Sequence, residues 1–156
     1  MNLVPPGLEP AHTVQLTQQL NTLLSGFQVY YQNLRGLHWN IRGRKFFELH
    51  LKFEELYTDA QLKIDQIAER ILSLGGRPAH TFSAYLELNT LRVGTDISQD
   101  EDGVGLVVEN LKGLIEGERK ALEWAVKAGD DGTADLLTQF LGEQEKTLWM
   151  FNAWLG

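Results

Sequence analysis

Residues 46–74 read FFELHLKFEELYTDAQLKIDQIAERILSL. Leu49, Phe53, Leu56, Ala60, Ile64, Ile67, Ile71 and Leu74 recur in steps of three and four, the period of one helix face. Gly75-Gly76 and then Pro78 follow, in the order that stops a helix. A second set of residues runs along the same helix out of phase with the apolar stripe. With His50 at 0° and about 100° per residue, Glu54 falls near 40°, Asp65 near 60° and Glu69 near 100°. The apolar stripe centres near −85°, so the two faces are offset by roughly 135°. Phe47, Leu51, Leu62 and Ala68 lie on or beside the polar stripe. Lys52, Glu55, Asp59, Lys63, Gln66 and Arg70 form a third sector, expected to be solvated.

Upstream, the stripe Leu16, Leu20, Leu23, Phe27, Tyr30, Leu34 and Leu37 predicts a helix over 12–37 with Thr13 as a candidate N-cap. A short connection, 39–45, contains Gly43. Downstream, 77–101 is a long connection in which 81–88 reads as a short amphipathic helix capped by Thr81. A third long helix is predicted over 103–128, on Val107, Leu111, Leu114, Leu122 and Ala125, with Gly129 as its stop. The fourth covers 133–155, on Ala134, Leu137, Leu141, Leu148, Phe151 and Leu155. Three of the four prolines fall in the first ten residues, so 1–11 reads as an extended N-terminal arm and 12–156 as the folded domain. The expectation is an all-α, four-helix bundle of ferritin-like arrangement. Short links make helices one and two antiparallel, and likewise three and four; the long crossover carries a short extra helix.

The chain of 156 residues fits one domain with a core of its own. It contains no cysteine, which excludes disulfide frameworks, thiolate-held zinc and iron–sulfur clusters. Asp and Glu number 21 against 14 Lys and Arg, a formal charge of −7, which leans away from phosphate binding. No apolar run approaches the roughly 18 residues of a membrane span, and the first dozen residues lack the basic start and apolar stretch of a signal peptide. A soluble protein of the cytoplasm is expected.

Histidines and carboxylates are thus the candidate metal ligands. His50 and Glu69 stand about 28 Å apart along one helix, too far to share a metal within one chain. Two copies of the helix crossing antiparallel about a two-fold axis would bring the His50/Glu54 end of one to the Asp65/Glu69 end of the other, making two equivalent sites. The neighbouring apolar residues suit a subunit interface. His38, at the end of the first helix, is close enough in sequence to fold back beside His50. Such a mixed nitrogen and oxygen set suits Fe(II), Zn or Mn better than Ca or Mg. A di-iron site inside the bundle would need inward Glu-x-x-His motifs, and the only one here is Glu9–His12 in the arm. Glu118 and Gln144, on the apolar stripes of the third and fourth helices, read as packing irregularities or buried hydrogen-bonded groups rather than ligands.

The segment LHWNIRGRKFFELHLKFEELY, residues 37–57, resembles the first ferroxidase motif of the Dps family of small ferritin relatives, and IDQIAERI, residues 64–71, resembles the second. The resemblance implies a di-iron ferroxidase centre at a dimer interface. His38, His50 and Glu54 would come from one subunit and Asp65 and Glu69 from its two-fold partner. Many relatives carry Asp where this chain has Glu54. Trp39 would lie beside the site, either as interface packing or in a redox role. The run AGDDGTAD, residues 128–135, resembles a segment lining acidic three-fold pores, which would make Asp130, Asp131 and Asp135 iron-uptake residues. A bland alternative is an acidic loop that favours the next helix through its dipole.

The family resemblance further implies a homo-oligomeric, dodecameric shell that oxidises Fe(II), preferably with H2O2, and stores Fe(III) mineral against oxidative stress. Zinc would be an alternative occupant or competitor. DNA-binding members generally carry a Lys/Arg-rich tail. Here 1–34 contain neither residue and no basic extension follows Trp154, so direct DNA binding is not expected. The rival reading is a DNA-compacting nucleoid protein whose iron binding is secondary.

Overall fold

The computed structural model describes residues 4–156 and is all-helical over them. In chain order the elements are α1 (Pro10–Asn40), α2 (Phe46–Ser73), α3 (Phe82–Leu88), α4 (Asp100–Ala128) and α5 (Asp131–Leu155). Side-chain pairings set their directions. Tyr31 meets Tyr57 and His38 meets His50, so α1 and α2 run antiparallel. Only Gly129 and Asp130 separate α4 from α5, and Glu118 bonds Gln144, at a similar distance on the other side of that turn, so α4 and α5 do too. Asn33 bonds Asn110, and His12 reaches the Lys127 carbonyl, so α1 is also antiparallel to α4. α2 and α4 are therefore parallel, which is why the link between them must cross the length of the bundle.

The apolar stripes meet in one core. Phe27, Phe53, Leu16, Leu20, Leu34, Ile67 and Ile71 are fully buried there, and Phe27 sits edge-on to both Tyr30 and Phe140. Leu155, assigned to the core stripe of the last helix, is instead exposed at the end of α5. Gly129, at φ 73°, adopts the left-handed conformation that ends α4, and Asp130 at once caps α5 by accepting from the Thr133 amide.

The expected start of α1 is corrected. The helix begins at Pro10, and its cap is Glu9, whose carboxylate accepts from the amides of Ala11 and His12. These bonds hold the Glu9 carboxyl below its usual range, the His12 amide being the main cause. Thr13 lies inside the helix, buried, and its hydroxyl donates to the Glu9 carbonyl. The segment before the helix is tied to the far end of α4, where the Glu9 amide donates to the Ala128 carbonyl at 3.0 Å. Residues 1–3 of the expected arm lie outside the described residues.

The crossover is clipped to the bundle by one buried amide. Asn33 donates to the Arg92 carbonyl at 3.0 Å and to Asn110 Oδ1 at 2.7 Å, and accepts from the Gly94 amide at 2.9 Å. α3 packs on α1, capped as expected by Thr81. Among the described residues no helix is long and apolar enough to cross a membrane.

Candidate metal centre

The five-residue link between α1 and α2 turns at Gly43, whose φ of 113° is one that few other residues adopt. The turn sets the end of α1 beside the start of α2 and brings the two imidazoles together. His38 Nδ1 lies 2.7 Å from the His50 carbonyl, and His50 Nδ1 lies 2.7 Å from the His38 carbonyl. A carbonyl only accepts, so each Nδ1 carries a proton, and in the neutral ring Nε2 is the nitrogen that keeps a lone pair. The rings stack with centroids 3.7 Å apart and planes 13° from parallel. Phe46 covers the other side of His50 at 4.8 Å, and Tyr57 meets His38 edge-on at 5.5 Å. Bonds and packing together hold both rings in place, as second-shell groups do for metal-binding histidines.

The carboxylates of α2 sort by partner. Glu55 bonds Lys52, and Asp59 bonds Lys63. Glu54, Asp65 and Glu69 are exposed, and among the described residues their carboxylates have no hydrogen-bond or ion-pair partner. Beside them Phe47, Leu51 and Leu62 are 79%, 61% and 64% exposed, large apolar groups that an isolated chain leaves in water. Ala68, expected with them, is half-buried against the core instead. Among the described residues no group of three or more His, Asp or Glu side chains is close enough to hold a metal within one chain. The chain brings His38 and His50 together and presents Glu54 one turn further along; it leaves Asp65 and Glu69 toward the opposite end of α2.

Two members of the expected solvated sector turn back to the bundle, Lys63 buried and Arg70 half-buried. Lys63 is only 3% exposed; its ammonium bonds Asp59 and Glu143 at 2.6 Å each and lies over the Phe140 ring, tying α2 to α5. Arg70 bonds Asp130 at 2.6 Å and Thr133 at 2.7 Å. Asp130 is 2% exposed, committed to Arg70, to the Thr133 amide and to the Thr133 hydroxyl. Among the three candidate uptake residues, Asp131 and Asp135 are exposed and Asp130 is not. Trp39 is exposed, with the Arg35 guanidinium 4.8 Å from its ring centre.

Glu118 and Gln144 are buried and bonded to each other, Gln144 Nε2 donating to Glu118 Oε1. Among the described residues, Glu118 Oε2 and Gln144 Oε1 have no hydrogen-bond partner. A proton on Oε2 would donate to Gln144 Oε1 and close a two-bond ring. Burial pushes the Glu118 carboxyl up to about 8, against the opposing pull of Gln144 and of the Lys63 charge. Glu118 is thus a neutral acid at pH 7, a poor cation ligand. The reciprocal histidine bonds, the buried lysine and the Asn33 clip had no signal in periodicity. Glu118 and Gln144 did, as polar residues on apolar stripes.

A family model described as a ferritin-like domain matches residues 17–156. The DNA protection during starvation protein of Porphyromonas gingivalis is 42% identical over 148 residues, 95% of this chain and 93% of its own length. A Dps protein from Vibrio cholerae O1, described as a member of a broad superfamily of ferritin-like diiron-carboxylate proteins, has a crystal structure that superposes with a TM-score of 0.95. It is 46% identical, and the match covers 100% of this chain and 98% of that one. The Dps protein of Bacillus brevis superposes with a TM-score of 0.91 at 37% identity, covering 94% of this chain and 98% of that one.

Proposed function

The chain belongs to the Dps family of ferritin-like proteins, and from that membership we propose that it is an iron-storing ferroxidase whose centres form between two copies of the chain. The observation that carries this reading is the reciprocal bonding of His38 and His50. It leaves two fixed Nε2 lone pairs at the rim of an exposed apolar face. On a two-fold axis, Asp65 and Glu69 of the partner subunit meet His38, His50 and Glu54, completing a mixed nitrogen and carboxylate set for Fe(II). Phe47, Leu51 and Leu62 supply the buried apolar part of that contact.

Iron is the substrate. Two Fe(II) give one electron each to H2O2, which takes up two protons and becomes two waters, so no hydroxyl radical is released. The carboxylates offset the higher charge of the Fe(III) product, and the neutral imidazoles bind without adding charge. Zinc suits the same donors and would compete. Asp131 and Asp135, exposed at the start of α5, would draw cations toward the interior of a dodecameric shell, and Asp130 holds that helix start in place.

A DNA-compacting role has less support, since the formal charge is −7 and residues 1–34 contain no Lys or Arg. The test is anaerobic loading with Fe(II) followed by stoichiometric H2O2. Absorbance should rise as Fe(III) forms, and sedimentation should give the mass of a dodecamer. Absence of oxidation, together with salt-sensitive retardation of plasmid DNA, would reverse the order of the two readings.

A further inference from the structure

The buried lysine of α2 fills a place that suits a free cation. Lys63 Nζ lies 2.6 Å from Asp59 Oδ2, one turn earlier on α2, and 2.6 Å from Glu143 Oε2 on α5. The two carboxylate oxygens are therefore no further apart than twice that distance. The Phe140 ring, its centre 5.3 Å from the ammonium, adds a third attractive contact. Lys63 is 3% exposed, whereas the side chains of Asp59 and Glu143 are more than half exposed. Asp65, Gln66 and Gln139 line the same open cavity, of about 310 Å³. Asp65 is one of the carboxylates read above as a metal ligand.

Two carboxylates at this spacing, in reach of water, form a donor set for hard divalent ions such as Mn(II) and Fe(II). Such ions take oxygen ligands at about 2.0–2.6 Å, close to the distance the ammonium keeps. The ammonium brings one positive charge to two negative ones, so a divalent ion would balance the pair more fully. Lys63 holds the place because its own stem delivers it. A tethered group competes at an effective concentration on the order of millimolar, while a free ion must be drawn from solution. The exclusion has a chemical benefit. One Fe(II) held there alone would give H2O2 a single electron; the O–O bond would break, leaving Fe(III), hydroxide and a free hydroxyl radical.

We propose that Lys63 is a built-in counterion that keeps divalent cations off the Asp59–Glu143 pair, so that Fe(II) is held at the two-fold centre instead. The part concerning iron rests on the ferroxidase reading above; the exclusion of cations from the pair does not.

The experiment titrates Mn(II) into the assembled, metal-free protein and counts bound ions from the loss of the free-ion signal in electron paramagnetic resonance. Lys63→Met keeps the length of the stem and removes the charge. Lys63→Gln also removes the charge and can still donate to the carboxylates. Each should bind one more Mn(II) per chain than the parent, and the surplus should vanish when Glu143→Gln is added. Mn(II) should also raise the unfolding temperature of each by more than it raises the parent's. Lys63→Arg should bind as the parent does, and Glu143→Gln alone should leave the parental count unchanged. A parental count in both charge-removing variants would overturn the proposal, as would loss of a Mn(II) ion from the parent on Glu143→Gln. In a second arm, the protein receives fewer Fe(II) ions than centres and then H2O2. Spin trapping should find more hydroxyl radical from Lys63→Met than from the parent; equal yields would overturn the part concerning iron. A parent that oxidises no Fe(II) would remove the ferroxidase reading and leave the Mn(II) count to decide the role of Lys63.

Discussion

His38 and His50 each donate an Nδ1–H to the other's main-chain carbonyl, both at 2.7 Å, across the turn that joins α1 to α2. One relationship thus closes the turn, places the proton of each neutral ring on Nδ1 and leaves Nε2 as its metal-binding nitrogen.

Replacing His38 with Ala removes one of these bonds and the stacked ring, but leaves His50 bonded to the main chain at position 38. The fold should lose about 1 kcal/mol, the usual net value of one hydrogen bond. Zn(II) binding should weaken at least about tenfold. Urea unfolding and calorimetry measure the two effects separately.

The Glu118–Gln144 pair makes stability depend on pH. The folded carboxyl titrates at about 8 and the unfolded one near 4.5, so across that window the folded state keeps a proton that the unfolded chain has lost. The contribution of Glu118 is complete below about pH 4.5 and is lost as pH rises through 8, at a slope approaching 1.4 kcal/mol per unit. Glu118→Gln replaces the acid by an amide that can still pair with Gln144. Its unfolding midpoint should exceed the parent's at pH 8 and converge on it toward pH 5. Urea titrations across that range make the comparison.

Asn33 joins α1, α4 and the crossover through three hydrogen bonds. Asn33→Leu would strip partners from the part-buried Gly94 amide and from the buried Asn110 Oδ1. A loss of about 2–3 kcal/mol is expected, with faster hydrogen exchange at Gly94 than elsewhere in the bundle.

The three aspartates near the start of α5 should divide. Asp130→Ala leaves Arg70 unpaired, removes the α5 cap and should cost about 3 kcal/mol. Asp131→Asn with Asp135→Asn should leave the unfolding midpoint in place and slow Fe(II) uptake, most of all at low ionic strength. Stopped-flow oxidation at two salt concentrations, beside thermal unfolding, separates the two classes.

Much of this was legible in the sequence, for a definite reason. The helices are long and their stripes regular, so 46–74 and 133–155 fall within two residues of α2 and α5. The offset of the His50 stripe from the core stripe was legible too, because it depends only on helical geometry. Sequence alone did not show where long side chains go. Lys63 and Arg70 sit on a polar sector of α2, yet each swings its charged end to a carboxylate on or beside α5. Nor did it show that Glu9 would cap α1, since Pro10 reads as a breaker until it stands at the first helical position, where a proline costs nothing. Asp130 looked like its neighbours in composition, and only packing separates it from Asp131 and Asp135.

The most direct measurement of the central claim is complementation between two inactive variants, His38→Ala/His50→Ala and Asp65→Ala/Glu69→Ala, co-assembled from dissociated subunits. If each centre takes histidines from one chain and Asp65 and Glu69 from its partner, each mixed dimer holds one intact centre and one doubly damaged one. Random mixing then restores roughly a quarter of the parental centres. Peroxide-driven Fe(II) oxidation should return to about that fraction of the parental rate, with each variant alone inactive. Mixed shells that assemble yet stay as inactive as their parents would contradict the shared centre.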